Sequence, residues 1–207
     1  MPKKMIIKTL NYLKEISILI LGLTLSLLVS FWIYNHYEKR DMALYLYTIK
    51  IELENHLVSL DSIISQFHSE VNYSNYLRRT ARNAIVPDSV IFYHRVIYDF
   101  TNNELSTDAF DMFQNSGMLR LINDNEFRMQ LWGTYSLIKR TNIHWNRAMD
   151  VKIDEAIIEL RNMDPMDPPI SRLFTYYALS GIPQVKLTLT LHLRSVIEEM
   201  IKKFNNI

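Results

Sequence analysis

Glu52 and His56 stand four residues apart, the nearest this sequence comes to a metal-binding pair, because a carboxylate and an imidazole one helical turn apart can face a common ion. No neighbouring residues complete a ligand set, so the pair is expected on a solvated helix face. There is no His-Glu-x-x-His run, and no acidic residue is followed three positions later by His, so the zincin and di-iron helix motifs are both missing. Gly22, Gly117, Gly133 and Gly181 are the only glycines and lie far apart, which leaves no glycine-rich loop to bring backbone amides around a phosphate. The Gly-x-Ser-x-Gly elbow of serine hydrolases is absent, and without cysteine there is no thiol nucleophile, thiolate metal site or disulfide. His68, His94, His144 and His192 occur singly and are expected at the surface or packed, while Arg78, Arg79 and Arg82 are expected as a solvated basic face. The expectation is a non-enzymatic protein with no catalytic residue, no metal ligand and no cofactor.

The most patterned polar region is Asn115-Ser116-Gly117, followed by Asn123, Glu126 and Arg128. These six residues have two readings. One is a recognition loop. The other is punctuation between helices: Thr107 caps a brief helix that Gly117 stops in a left-handed conformation, and Asn123 with Glu126 starts a long helix as a capping box.

The elements that must position these residues follow from hydropathy. Between Ile16 and Tyr34 the chain has no charge, and this length is close to the ~20 residues a helix needs to cross ~30 Å of hydrocarbon. Its Leu, Ile, Val and Phe residues favour insertion by roughly 4 to 7 kcal/mol before the polar terms are subtracted. Phe31, Trp32, Ile33 and Tyr34 suit the membrane interface and do not resemble a small-residue cleavage site, so an uncleaved transmembrane helix is expected. Lys3, Lys4, Lys8 and Lys14 precede it and Lys39 and Arg40 follow it, which favours a cytoplasmic N-terminus. The expected organisation is a short cytoplasmic segment over 1–15, a transmembrane helix over 16–34 and an extracytoplasmic helical domain over 35–207. Gly22, Ser26 and Ser30 recur every four residues and place small side chains on one face, a candidate helix–helix contact in the membrane.

Beyond the anchor, Leu46, Ile49, Leu53, Leu57, Leu60, Ile64, Phe67 and Val71 form a near-heptad stripe. No proline falls between Pro2 and Pro87, so the transmembrane helix is expected to run on as a stalk to about Arg82. That seam either forms a parallel coiled coil between subunits or packs against later helices of its own chain. Val86 to Ser89 reads as a turn before a short helix with Val90, Ile91, Ile97 and Phe100. The long helix beginning near Asn123 is expected to bury Phe127, Leu131, Tyr135, Ile138, Trp145, Met149, Ile153, Ile157 and Leu160 and must end at Pro165, Pro168 and Pro169. A short helix over 171–179 follows. The last helix carries Leu189, Leu193, Val196, Ile197, Met200 and Phe204, although Val185 to Leu193 alternates as a strand would. An all-α fold is expected, its stalk leading into an antiparallel helical bundle.

Two stretches resemble an uncharacterised bacterial family of short single-pass membrane proteins with a helical domain of unknown function. Glu15-Ile16, Gly22 and Trp32 look like that family's entry, mid-membrane and exit positions. Phe110, Asn115-Ser116-Gly117, Leu121-Ile122-Asn123, Glu126, Arg128, Leu131 and Tyr135 are similar to its second motif, with Gly133-Thr134-Tyr135 where a Tyr pair is usual. The resemblance implies a membrane anchor with a helical exported domain and no known activity.

Lys and Arg total 23 and Asp and Glu 22, which leaves no broad basic face for nucleic acid. The expected location is a bacterial cytoplasmic membrane, and the expected partners are the lipid bilayer and either a copy of this chain or another envelope protein. The leading expectation is a protein-interaction or scaffold role. The alternative is an extracytoplasmic small-ligand sensor, which, with about 15 residues before the membrane, would act through a partner.

Overall fold

A computed structural model describes residues 3–79, 103–161 and 180–206. Helices are their regular elements, with no strand among the described residues: α1 (Lys3–Arg79), α2 (Asp108–Asn115), a 3-10 turn (Met118–Leu121), α3 (Asn125–Arg161) and α4 (Ile182–Phe204). The all-α expectation holds at this level. The turn at Val86 to Ser89, the short helices expected near residues 90–100 and 171–179, the prolines of 165–169, His94 and Arg82 lie outside the described residues.

The chain divides into two compact units, Met1–Leu46 and Tyr47–Ile207. In the first, α1 is long and apolar enough to cross a membrane: its most apolar stretch has a mean hydropathy of 2.4, and none of that stretch is buried within the chain. Leucines and isoleucines from Leu13 to Ile33 stand exposed on every side of the helix. A helix apolar all round has no inward face, which suits lipid and not a protein core. Its hydroxyls bond back to its own carbonyls, Ser17 Oγ donating to Leu13 O and Thr24 Oγ1 to Ile20 O, each at 2.7 Å. These two hydroxyls need no water.

In the second unit, α1 is amphipathic. Its buried positions include Ile49, Leu53, His56, Leu60, Ile63, Phe67, Glu70 and Ser74, spaced alternately four and three residues apart, with Tyr73 buried beside the last of them. The seam read from hydropathy alone had Leu57, Ile64 and Val71 in place of His56, Ile63, Glu70 and Ser74, because the polar members are invisible to an apolar count. The seam meets Ala109 of α2 through Glu52, Tyr135 and Trp145 of α3 through Glu52 and Phe67, and Lys186 of α4 through Phe67 and Glu70. Its own chain therefore covers it.

Paired residues fix the helix directions. Glu52 meets Tyr135, Phe67 meets Trp145 and Glu70 meets Lys152, so α1 and α3 run the same way. Asp61 meets Arg194 and Ser74 meets Gln184, so α4 runs opposite to α1. A uniformly antiparallel order therefore does not describe α1 and α3. The strand-like alternation of Val185 to Leu193 is overridden as well. Pro183 lies in the first turn of α4 after Gly181 at φ 86°, and Lys186, Thr190, Leu193 and Ile197 form a helical buried face.

Candidate functional site

The carboxylate of Glu52 is where the unit's polar contacts begin. Its Oε1 accepts from the Tyr135 hydroxyl at 2.7 Å, and its Oε2 accepts from Ser106 Oγ at 3.0 Å and from the Ala109 backbone N–H at 3.1 Å. Ala109 lies in the first turn of α2, whose leading amides have no intrahelical partner, so α1 caps α2 from across the fold. Thr107, the expected cap, occupies the N-cap position but makes no side-chain bond to the helix backbone; its hydroxyl donates to Asp111 Oδ2 instead.

His56 is 95% shielded from solvent, and its Nε2 donates to the Ser106 carbonyl at 2.8 Å. Burial pushes its pKa below the ordinary histidine value, against the opposing pull of the Ser106 carbonyl and Glu52. The solvated face expected for Glu52 and His56 is thereby corrected: both residues hold the extended stretch before α2. The same stretch is held from the other side by Asn142. The Leu105 N–H donates to Asn142 Oδ1 at 3.1 Å, and Asn142 Nδ2 donates to the Leu105 carbonyl at 2.8 Å, so one side-chain amide satisfies both backbone groups of a buried residue. Tyr135 stacks on Phe110 with ring centroids 4.4 Å apart, and burial followed by the Glu52 contact raises its pKa, keeping the phenol protonated as a donor.

A second cluster lies further along α1. Glu70 accepts from Lys186 Nζ at 2.8 Å and from Lys152 Nζ at 3.3 Å, and all three side chains are buried. Lys186 also sits 4.0 Å from the Phe67 ring centroid, a cation–π contact. Three helices contribute one charge each, and the attraction is large only because water is excluded. Sequence reasoning missed this cluster. The usable signal was the seven-residue phase, since Glu70 stands 14 residues after His56 and 21 after Ile49 in the same seam.

Among the six loop candidates, Asn115, Ser116, Gly117, Asn123 and Glu126 are exposed and Arg128 is half-buried. Gly117 takes φ 73°, the left-handed conformation expected of it. The helix start is corrected by one residue. Asp124, not Asn123, caps α3, its Oδ1 accepting from the Glu126 and Phe127 N–H groups at 2.9 and 3.0 Å. Glu126 receives Gln130 Nε2 at 3.1 Å and Lys203 Nζ at 2.7 Å, and Arg128 pairs with Asn125. These contacts tie the start of α3 to itself and to the end of α4, where Phe127 and Phe204 meet edge to face at 5.0 Å.

Gly22, Ser26 and Ser30 lie exposed on one face of α1 in the first unit, and a side chain added at Gly22 would meet no atom within 4 Å. No group of three His, Asp or Glu side chains able to hold a metal occurs among the described residues. An open groove of about 600 Å³ runs beside the pinned stretch, lined by Glu104, Asp108, Lys139, Asn142, Ile143 and Asn146 among others. The contacts of both clusters described above tie α1 to α2, α3 and α4. The chain matches no known protein family, no curated protein and no solved structure.

Proposed function

We propose that this chain is a non-enzymatic, single-pass protein of a bacterial cytoplasmic membrane, N-terminus inside, whose C-terminal helices close into a bundle outside the cytoplasm and dock another protein or a copy of the same chain. One observation carries this reading. A stretch of α1 with mean hydropathy 2.4 buries nothing against its own chain, while the following unit builds a core that includes His56, Glu70, Asn142, Lys152 and Lys186 among its buried residues. Lipid is the solvent that such a stretch fits. Membership of the single-pass family that the sequence resembles is part of the proposal, as is the small-residue face of Gly22, Ser26 and Ser30 as a membrane contact. The loop from Asn115 to Arg128 offers exposed polar groups on a rigid base, which suits recognition of a partner.

Alkaline carbonate extraction of the full-length protein tests the anchor: retention in the pellet is expected, and release into the supernatant overturns the proposal. Protease treatment of intact and opened vesicles tests the orientation, with cleavage of the C-terminal unit expected only from the extracytoplasmic side. Crosslinking in membranes followed by mass spectrometry tests the docking role. The groove beside Asn142 supports a second reading, small-ligand sensing through a partner. A thermal-shift screen of the detergent-solubilised chain checks it, with stabilisation by a small molecule as the supporting result.

A further inference from the structure

The approach to α2 is held by side chains of other helices. Asn142 satisfies both backbone groups of Leu105, His56 Nε2 donates to the Ser106 carbonyl at 2.8 Å, and Glu52 Oε2 accepts from Ser106 Oγ at 3.0 Å and from the Ala109 N–H at 3.1 Å. Asn142 has no proton to gain or lose, whereas His56 can take up a charge and Glu52 can answer one. The two stand four residues apart on α1, the spacing at which side chains on one helix reach each other.

A positive charge at His56 is costly. The residue is 5% exposed, and burial holds its pKa below the ordinary histidine value. Glu52 is the charged group, among the described residues, that pulls the other way. The remaining neighbours are engaged elsewhere. Asp108 Oδ2 accepts from Ser106 Oγ at 3.1 Å, Asp111 pairs with Lys139 at 2.6 Å, Tyr135 donates to Glu52 Oε1 at 2.7 Å, and α4 brings the apolar Ile197 and Met200 to the core. An imidazolium at this position therefore looks to Glu52. The Tyr135 bond to Oε1 is the shortest that Glu52 makes, so Oε2 is the oxygen that gives way.

We propose that Glu52 and His56 form a pH-sensitive latch: protonation of the imidazole draws Glu52 Oε2 away from Ser106 and Ala109 and frees the first turn of α2, while Asn142 keeps Leu105 in place. Thr107 makes no side-chain cap to replace the lost bond. Ser106, Thr107 and Asp108 also line the groove beside Asn142, so acid reshapes one wall of it. The inference goes beyond the docking reading and does not depend on the anchor.

Amide-resolved hydrogen exchange on the full-length chain in detergent, at pH 8 and pH 5 and corrected for the chemical pH dependence of exchange, separates latch release from general loosening. On acidification the Ala109 amide should lose about fivefold more protection than the Leu105 amide, the change expected for one hydrogen bond. His56→Gln keeps a donor for the Ser106 carbonyl but takes up no proton, and it should abolish that difference. Protection of Leu105 at pH 8 reports whether the variant folds; where it does not, the comparison of Ala109 with Leu105 in the unaltered chain decides alone. Equal losses at the two amides, no loss at Ala109, or the same differential loss in folded His56→Gln overturns the latch. None of these outcomes touches the docking reading, which carbonate extraction and crosslinking test separately.

Discussion

Residues 16–34 and 47–74 belong to one continuous helix, α1, yet they solve opposite problems. The first stretch is apolar on all sides, and its Ser17 and Thr24 hydroxyls close on its own carbonyls. The second confines apolar residues largely to a seam and places His56, Glu70 and Ser74 inside that seam, bonded to other parts of the fold. A helix in lipid must satisfy its polar groups within itself, whereas a helix in a protein core can share them with neighbours. Polar side chains therefore mark where α1 gains partners.

The sharpest way to break this comparison is at Glu70. Glu70→Ala removes the anion between two buried lysines and should destabilise the second unit by about 3–5 kcal/mol, the usual result of breaking a buried ion pair, read by urea unfolding followed by circular dichroism. Leu25→Lys attacks the other stretch. It should disfavour insertion by about 2.5–3.5 kcal/mol and move part of the protein out of the carbonate-resistant fraction, with the urea midpoint of the second unit unchanged.

Smaller effects sharpen the picture. Tyr135→Phe deletes one donor to Glu52 while keeping the Phe110 stack, and a loss of about 1–2 kcal/mol is expected in the same unfolding experiment. His56 gives a pH signature. Its folded pKa lies below the unfolded value of 6.5, so on acidification the unfolded chain takes up the proton first. Its contribution is therefore complete above pH 6.5 and is lost as pH falls through the folded value; unfolding midpoints measured between pH 8 and 5 should fall accordingly, and less so in His56→Gln. Lys139→Ala should have the least effect, at most about 1 kcal/mol, because the Lys139–Asp111 pair at 2.6 Å is open to solvent. Asp111, held below the ordinary carboxylate range chiefly by that lysine, contributes fully above pH 3.8 and loses its contribution as pH falls through its lowered folded value.

Several of these positions were legible in advance, and for local reasons. Gly117 was placed by its tolerance of positive φ, and Phe127, Leu131, Tyr135, Ile138 and Trp145 by their helical spacing, whereas Ile153 and Ile157, expected on the same buried side, are exposed. The misreadings share a cause. Asn123 and Asp124 are both good caps, and only the backbone geometry of the turn chose the second. Glu52 and His56 were assigned to solvent because nothing within a few residues could pair with them; their partners Ser106 and Tyr135 are 50 and 83 residues away.

Taken by itself, the sequence determined that the chain is helical and that one stretch is long and apolar enough to span a bilayer, because helix period and hydropathy are properties of neighbouring residues. The tertiary structure alone decided which polar residues are buried and which way α3 runs beside α1. The burial of Glu70 is tolerable only beside Lys152 and Lys186, 82 and 116 residues further on, and a charge pattern read along the chain carries no record of which distant cation will shield it.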